Sequence, residues 1–161
     1  MGDSLHFEDI QIGQTWTSLG RTITESDVVA FACTSGDFNP LHVDAEFAAS
    51  TIYRSRVAHG LLGISWVAGL GSHCPLVKTV AFSAIRDWEF LKPIHIGDTV
   101  HVETSVLDKV ISGRRSGRVA WLHRLINQRG EVTQQGVFET LVACRNPAAV
   151  ERAEQSSVCP K

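Results

Sequence analysis

A carboxylate and an imidazole, two side chains that enzymes often use to move protons, lie five residues apart at Asp37 and His42. The residues around them disfavour regular structure. Gly36 allows a positive φ, Pro40 lacks a backbone donor, and Asn39 is pushed into an extended conformation by the proline after it. Helix-like apolar sequence lies on both sides of this segment. We therefore predict a rigid, non-helical loop that carries acid–base chemistry.

Other catalytic patterns are missing from the sequence. The acids and histidines form neither HExxH nor a similar ligand spacing, so no metal site is predicted. Neither a G-x-S-x-G elbow nor a paired Cys–His signature supports nucleophilic catalysis. The four cysteines are widely spaced without a CxxC pair, which is typical of reduced thiols rather than of disulfides.

Composition indicates a globular protein with a core of ordinary size. The chain has 161 residues, of which 43% are hydrophobic and 20% charged, and its formal net charge is −2. A general binder of nucleic acid or of a membrane surface needs a basic face, so neither partner is expected. No apolar run is long enough to span a bilayer, and the N-terminus does not resemble a signal peptide. We predict a cytoplasmic protein with a single domain over 1–145 and a flexible polar tail over 146–161.

The elements that must position the loop begin with a strand over 15–23, which is rich in β-branched and aromatic residues. Thr24 is predicted to cap a helix of about ten residues, with Asp27 adding an acid to its first turn. After the loop, Asp44 is predicted to cap a short helix that Phe47 anchors to the core. The loop is therefore expected between two capped helices.

Residues 58–71 are apolar on nearly every side, which predicts a helix buried all round. Glycines within it make sense where another backbone passes very close. Four alternating segments follow, joined by short turns, and they predict a four-stranded antiparallel meander: 77–90, 99–107, 118–126 and 132–144. The fold class is α+β, with a curved sheet wrapped around the apolar helix. A second copy of the chain is expected to cover the sheet's outer face and edge.

Two motifs resemble the MaoC-like, R-specific enoyl-CoA hydratase family. One runs from Gly36 to Asp44, and the second, Val57-Ala58-His59-Gly60-Leu61-Leu62, follows at the matching distance. The resemblance continues through 90–93 and 96–100. It implies the hot dog fold, in which an antiparallel sheet wraps a long central helix, and homodimers or larger homo-oligomers that pair through their sheets.

The resemblance also implies an activity and catalytic residues. The family adds water to trans-2-enoyl thioesters of coenzyme A, or runs the dehydration. Asp37 matches the main water-activating base, and His42 the residue that positions the water and shares proton transfer. The backbone N–H of Gly60 matches the donor that stabilises charge on the thioester oxygen. Coenzyme A is part of the substrate, so no separate cofactor is expected.

Substrate-binding roles are predicted for Asn39, His59 and Ser65, each with a structural alternative. Asn39 would hold the loop shape, His59 could instead pack or cap the entry to the helix, and Ser65 could bond back to its own helix. For Asp37 and His42 the alternative is a turn aspartate and a loop histidine with structural hydrogen bonds.

Features of the acyl and coenzyme A sites are more open. Some family members carry a serine where this chain has Ala68, which leaves the chain-length preference undetermined. The basic turn Arg114-Arg115-Ser116-Gly117-Arg118 is either a solvated hairpin or a clamp for coenzyme A phosphates. The other candidates for that clamp are Lys78, Arg86 and Lys92.

Two other functions are compatible with the sequence. A hot dog thioesterase would release a free thiol, whereas hydration only removes the conjugated double bond. A catalytically silent acyl-CoA-binding subunit would bind the thioester without turnover.

Overall fold

One helix, α4, packs on a six-stranded antiparallel sheet in the computed structural model, which describes residues 4–113 and 115–145. The predicted flexible tail over 146–161 lies outside the described residues. The helices are α1 (Glu25–Ser35), α2 (Pro40–Val43), α3 (Ala45–Ser50) and α4 (Gly60–Gly71). The strands are β1 (Thr15–Thr17), β2 (Arg21–Thr22), β3 (Thr79–Phe90), β4 (Thr99–Ile111), β5 (Ser116–Asn127) and β6 (Val132–Ala143).

The strand order of the sheet is β1-β4-β5-β6-β3, and β2 also pairs with β4. Strands β4, β5 and β6 form the predicted meander, but the prediction that β3 joins it next to β4 is wrong, because β3 pairs with β6. Residues 91–98 cannot form a tight hairpin, since their backbone bonds elsewhere: Ala58 N–H donates to Ile94 O at 2.8 Å and Gly97 N–H to Ile23 O at 2.8 Å.

The strand predicted over 15–23 is two short strands, β1 and β2. Ser18 interrupts the ladder: its N–H donates to Val102 O at 2.9 Å, and its hydroxyl accepts from Val102 N–H at 2.9 Å. Both backbone groups of Val102 in β4 are therefore bonded to Ser18. Because one of these bonds goes to the Ser18 side chain, the regular backbone ladder stops between β1 and β2.

The predicted caps of α1 and α3 are confirmed. Thr24 and Asp27 form a reciprocal capping box, and Gly36 ends α1 at φ 78°. Asp44 accepts a hydrogen bond from Phe47 N–H. The prediction that Phe47 anchors α3 is wrong, because Phe47 is exposed and Ala48 is the buried residue of this helix.

The loop is less irregular than predicted, because α2 lies within it. Pro40 occupies the first turn of α2, where its missing N–H has no helical partner to lose. Asn39 caps this turn by accepting from Leu41 N–H at 3.0 Å. His42 therefore projects from a short helix rather than from a non-helical loop.

Helix α4 buries one side only. Its buried residues are Leu62, Gly63, Trp66 and Val67. Leu61, Ser65 and Ala68 are exposed, so the prediction of burial on all sides is wrong for the single chain.

Two hydrophobic clusters occupy opposite ends of one face of the sheet. The first packs α4 against residues of β4, β5 and β6, among them Val102, Leu125 and Phe138. The second packs the N-terminal segment, including Phe7, against Trp121 and neighbouring residues. Thr104 and His123 lie on the same face between the clusters, and both are buried although they belong to neither cluster. Within the described residues, no helix is both long and apolar enough to cross a membrane.

Candidate active site

Asp37 lies just after the end of α1, and its turn leaves one carboxylate oxygen available. Its backbone N–H donates to Ser35 Oγ at 3.2 Å, and its Oδ1 accepts from Asn39 N–H at 3.2 Å. Among the described residues no partner is found for Oδ2. The side chain is exposed, so water and substrate can reach it.

His42 is fixed by a backbone carbonyl. Its Nδ1 lies 2.7 Å from Val57 O, and because a carbonyl oxygen only accepts, Nδ1 carries the proton. In the neutral ring Nε2 is then the acceptor. The hydrogen bond therefore sets both the orientation of the ring and its tautomer.

His59 is buried beneath Asp37 and His42, on the side of the pair that faces away from solvent. It is 2% exposed, and its Nε2–H donates to the carbonyl oxygen of Asp37 at 2.9 Å. Its ring stacks on His42 with centroids 3.8 Å apart and packs against Phe31 at 5.0 Å. The geometry favours the packing alternative for His59, because the ring supports both Asp37 and His42.

Helix α4 begins at Gly60, directly after His59, so its N-terminus lies beside the loop. The N–H of Gly60 has no hydrogen-bond partner in the described part of the chain, as expected in a first helical turn. A Cβ on Gly60 would lie 2.8 Å from the Phe90 ring, so only glycine fits here without movement. A free N–H at a helix N-terminus favours an anion.

Gln134 is a site residue that sequence reasoning missed. It is 2% exposed, and its Nε2 donates to Gly60 O at 3.1 Å, while Trp88 Nε1 donates to its Oε1 at 3.3 Å. A Cβ on Gly63 would meet Gln134 Nε2 at 2.1 Å. The first turns of α4 therefore rest directly on this side chain.

The other predicted substrate-binding residues make local bonds. Asn39 caps α2, as its structural alternative proposed. Ser65 lies on the exposed side of α4, and its hydroxyl donates to Leu61 O at 3.1 Å. Neither contact brings these side chains to Asp37 or His42.

The candidate clamps for coenzyme A phosphates are mostly paired with acids. The Nη2 atom of Arg86 lies 2.7 Å from Glu139 Oε1, and the Nζ atom of Lys92 lies 2.6 Å from Glu131 Oε1. Arg118 lies 4.0 Å from Glu139, near the end of β5 that is opposite the Gly60 end of the sheet. Arg114 lies outside the described residues.

A cavity of about 270 Å³ lies between the second half of α4 and the sheet. Ala68 and Gly71 line it from α4, and Thr104, His123 and Phe138 line it from the sheet. Burial lowers the pKa of His123 from 6.5 to about 4, so this imidazole is neutral at pH 7. Sequence reasoning gave His123 no role, although its alternation with Trp121 and Leu125 put it on the inner face of β5.

Asp37, His42 and His59 are also the residues that could hold a metal ion. Each offers one ligand atom, and these atoms lie within 4.8 Å of one another. One nitrogen of each imidazole is already bonded to a backbone oxygen, which leaves the other nitrogen for a ligand. The same arrangement suits proton transfer without a metal, and the absence of a metal site stays a prediction.

Comparisons with a family model and with known proteins all identify the same family. Residues 9–127 match the family model of the MaoC like domain. The chain is 39% identical over 117 residues to 3-hydroxybutyryl-CoA dehydratase of Methylorubrum extorquens, with 72% of each protein covered. It is 38% identical over 102 residues to the (R)-specific enoyl-CoA hydratase of Rhodospirillum rubrum, with 63% of this chain and 69% of that protein covered. A match to protein MaoC of Klebsiella aerogenes, 37% identical over 111 residues, covers 69% of this chain but only 33% of that protein.

A solved structure agrees with these matches. R-hydratase PhaJ1 from Pseudomonas aeruginosa superposes with a TM-score of 0.72 at 28% identity, covering 88% of each chain. The antiparallel sheet and its packed helix therefore define a protein of the hot dog fold. The chain belongs to the MaoC-like family of hydratases and dehydratases.

Proposed function

We propose that this protein adds water to a trans-2-enoyl-CoA to give an (R)-3-hydroxyacyl-CoA, or catalyses the reverse dehydration. The observation that carries this proposal is the group of Asp37, His42 and His59, in which one carboxylate oxygen and one nitrogen of each imidazole all lie within 4.8 Å of one another. His59 joins this group to the start of α4, because it bonds to Asp37 and directly precedes Gly60.

Asp37 and His42 hold the reacting water. The free carboxylate oxygen of Asp37 and Nε2 of His42 are both acceptors, so one water can donate a hydrogen bond to each. Its oxygen lone pair then faces the β-carbon of the substrate. Asp37 takes the proton as the carbon–oxygen bond forms, and the protonated carboxyl returns a proton to the α-carbon on the same face.

Gly60 stabilises the charge that develops during this addition. When water attacks the β-carbon, the electrons of the double bond move towards the thioester oxygen. The N–H of Gly60 is free to donate to that oxygen, and the N-terminal end of the α4 dipole favours the negative charge. Gln134 holds the carbonyl of the same residue and so helps to orient this peptide.

The test is Asp37→Asn, assayed as the loss of enoyl absorbance with crotonyl-CoA. We expect hydration to fall by roughly three orders of magnitude or more, because general base catalysis supplies about that factor. Asp108→Asn, the same change at an exposed position of β4, is the matched control and should keep full activity. Circular dichroism should show both variants folded. Equal activity in Asp37→Asn would reject the mechanism.

Two further measurements on the wild-type protein separate the alternative functions. A thioesterase would release free thiol from acyl-CoA, whereas a silent binding subunit would bind the thioester in calorimetry without turnover.

A chelator tests whether the reaction needs a metal ion. EDTA should leave the hydration rate unchanged. A loss of activity that Zn²⁺ restores would instead favour a metal at Asp37, His42 and His59.

We also propose that the protein is a homodimer. Strand β3 is an edge of the sheet, and Val80, Phe82, Ile85 and Phe90 on it are exposed. A long edge strand with exposed apolar side chains is a surface that another chain normally covers.

A further inference from the structure

An exposed turn shortly before Val57 carries a cation without a partner. Residues 52–55 are all exposed, and Ile52 is 86% exposed. Arg54 in this turn has neither an ion pair nor a side-chain hydrogen bond in the described part of the chain. A surface guanidinium that no carboxylate neutralises is available to an anionic ligand.

Two other cations near the site are already neutralised. Arg56, two residues after Arg54, has its Nη1 2.8 Å from Glu25 Oε1. Lys92 lies two residues before Ile94, whose carbonyl oxygen accepts from Ala58 N–H, and its ammonium is bonded to a carboxylate on the other side. Arg54 therefore differs from both in its lack of an acid.

The backbone of Arg54 is held in a conformation that an arginine rarely adopts. Its φ is 63°, in the left-handed region, and its N–H donates to Thr51 O at 3.2 Å. The N–H of Tyr53 also bonds to Thr51, through Oγ1 at 3.2 Å. Long side chains are disfavoured at positive φ, and such strain is concentrated at positions that hold ligands or do chemistry. The turn keeps an arginine at a position where glycine would fit without strain.

The turn is joined firmly to the candidate active site. Val57, three residues after Arg54, accepts at its carbonyl oxygen from His42 Nδ1 at 2.7 Å. Ser55 lies between them, with its hydroxyl 2.9 Å from His95 Nδ1, and His95 forms a β-bridge with Val57. The segment that presents Arg54 is therefore the one that orients the imidazole of His42.

The reach of Arg54 matches the length of a coenzyme A thioester. Three residues and an extended arginine side chain span at most about 18 Å, so the guanidinium lies within about 23 Å of the His42 ring. About thirteen bonds separate the thioester sulfur from the first phosphate of coenzyme A, or roughly 16 Å at about 1.2 Å per bond. A thioester bound at His42 can therefore present its diphosphate to Arg54.

The chemistry of the turn also suits this end of the ligand. The planar fork of a guanidinium donates two parallel hydrogen bonds to phosphate oxygens. Ile52 and Tyr53 beside it are exposed apolar side chains, against which an adenine ring can pack.

We propose that Arg54 binds the diphosphate of a coenzyme A thioester and thereby selects free coenzyme A substrates. This inference rests on the proposed hydratase function and adds a specificity-determining residue to it. Arg54 acts on binding and not on the chemical step, because the diphosphate is distant from the reacting double bond.

The test compares kcat/KM for crotonyl-CoA, crotonyl-dephospho-CoA and crotonyl-pantetheine. The second keeps the diphosphate and lacks the 3′-phosphate, and the third lacks every phosphate. We expect Arg54→Gln to lower kcat/KM for the first two by about tenfold, the worth of a hydrogen bond to a charged group, through KM and not kcat. Crotonyl-pantetheine should react equally well with both proteins.

Arg124→Gln is the matched control, because it removes the same charge elsewhere. Arg124 lies between His123 and Leu125 on β5, whose side chains face α4, so its own side chain is on the outer face of the sheet. This variant should keep wild-type kcat/KM for all three thioesters. Arg54→Lys, which keeps the charge, should restore part of the loss.

Arg54→Gly is a second neutral variant that excludes a backbone effect, because glycine adopts a φ of 63° without strain. It should show the same losses as Arg54→Gln. Equal losses with all three thioesters, or no loss with any, would overturn the inference. A loss confined to crotonyl-CoA would place the contact at the 3′-phosphate and overturn the assignment to the diphosphate. A wild-type kcat/KM that is higher for crotonyl-acyl-carrier protein than for crotonyl-CoA would overturn the selection of free coenzyme A.

The proposed function is tested separately by the wild-type reaction itself. If wild-type protein hydrates none of the crotonyl thioesters, the hydratase proposal fails. Calorimetry with the saturated ligands butyryl-CoA, butyryl-dephospho-CoA and butyryl-pantetheine then decides the role of Arg54. The same tenfold loss of affinity, limited to the two ligands with a diphosphate, supports the inference, and equal Kd values in wild type and Arg54→Gln overturn it.

Discussion

Single residues in the candidate site hold one another through backbone oxygens. His42 is anchored to Val57 O and His59 to Asp37 O, so each imidazole fixes a peptide as well as its own ring. His59 is buried and touches His42 face to face, which places it one layer behind the proposed water. We therefore regard His59 as a positioning residue for Asp37 and His42.

Replacing His59 by Phe tests this role, because the ring stacking is kept and the hydrogen bond to Asp37 is lost. We expect kcat for crotonyl-CoA to fall by about tenfold or more with little change in KM, since a small displacement of the pair suffices. In an Asp37→Asn background the same change should cost almost nothing, because residues that act as a unit are not additive. Equal losses in both backgrounds would instead indicate a purely structural role.

The buried imidazole of His123 makes stability depend on pH. Its pKa is about 4 in the folded chain and near 6.5 when unfolded, so the unfolded state binds more protons between these values. The free energy of unfolding should therefore fall as pH drops through 6.5 towards 4, by up to about 3 kcal/mol from this group. Urea titrations at several pH values check this. His123→Gln should show a weaker fall, and parallel curves for the two proteins would contradict the expectation.

At the level of elements, α4 depends on glycines that meet different surroundings. Gly63 lies against Gln134, which is buried and bonded to both Gly60 and Trp88. Gly69 lies on the same helix, but nothing comes within 4 Å of a Cβ placed there. The same substitution should therefore have opposite effects at the two positions.

Gly63→Ala should lower the free energy of unfolding by about 1–3 kcal/mol, because the new methyl group overpacks against Gln134. Gly69→Ala is the matched control and should raise it by up to about 1 kcal/mol through helix propensity. Adding Gln134→Ala to Gly63→Ala should cost less than the two single changes together, since the short side chain vacates the space. Urea unfolding of the four variants measures each term, and strict additivity would contradict the contact.

At the level of the whole molecule, β3 is the edge strand through which we propose that two chains associate. It pairs with β6 on one side and has no strand on the other within the described residues. Its exposed apolar residues include Val80, which is 61% exposed, and Phe82, which is 52% exposed. The opposite edge consists of the short strands β1 and β2, which offer far less ladder to a partner.

Val80→Lys should convert the proposed dimer into a monomer, because a buried unpaired ammonium is costly at an interface. Light scattering coupled to size exclusion measures the mass. Leu19→Lys is the matched control. Leu19 is 87% exposed and lies between β1 and β2, at the edge of the sheet opposite β3, so this substitution should leave the dimer intact. A wild-type monomer, or a dimer that survives Val80→Lys, would reject the β3 interface.

Local features of this protein could be predicted from its sequence. Thr24 and Asp44 were predicted as helix caps, and the segments of β4, β5 and β6 were predicted as strands, because capping and alternation depend on residues a few positions apart. The motif containing Asp37 and His42 was found in the same way. Even the error at Pro40 was local, since a proline also fits the first turn of a helix.

The tertiary structure alone decided which distant segments meet. It paired β3 with β6 instead of β4, placed Gln134 under the first turn of α4, and put His123 on the wall of a cavity beside Gly71. Each of these contacts joins residues more than forty positions apart along the chain. The sequence by itself determined the caps, most of the strands and the acid–imidazole motif, because those depend on neighbours in the chain. The path of the chain through space decided which side chains support the candidate site and where a cavity lies beside α4.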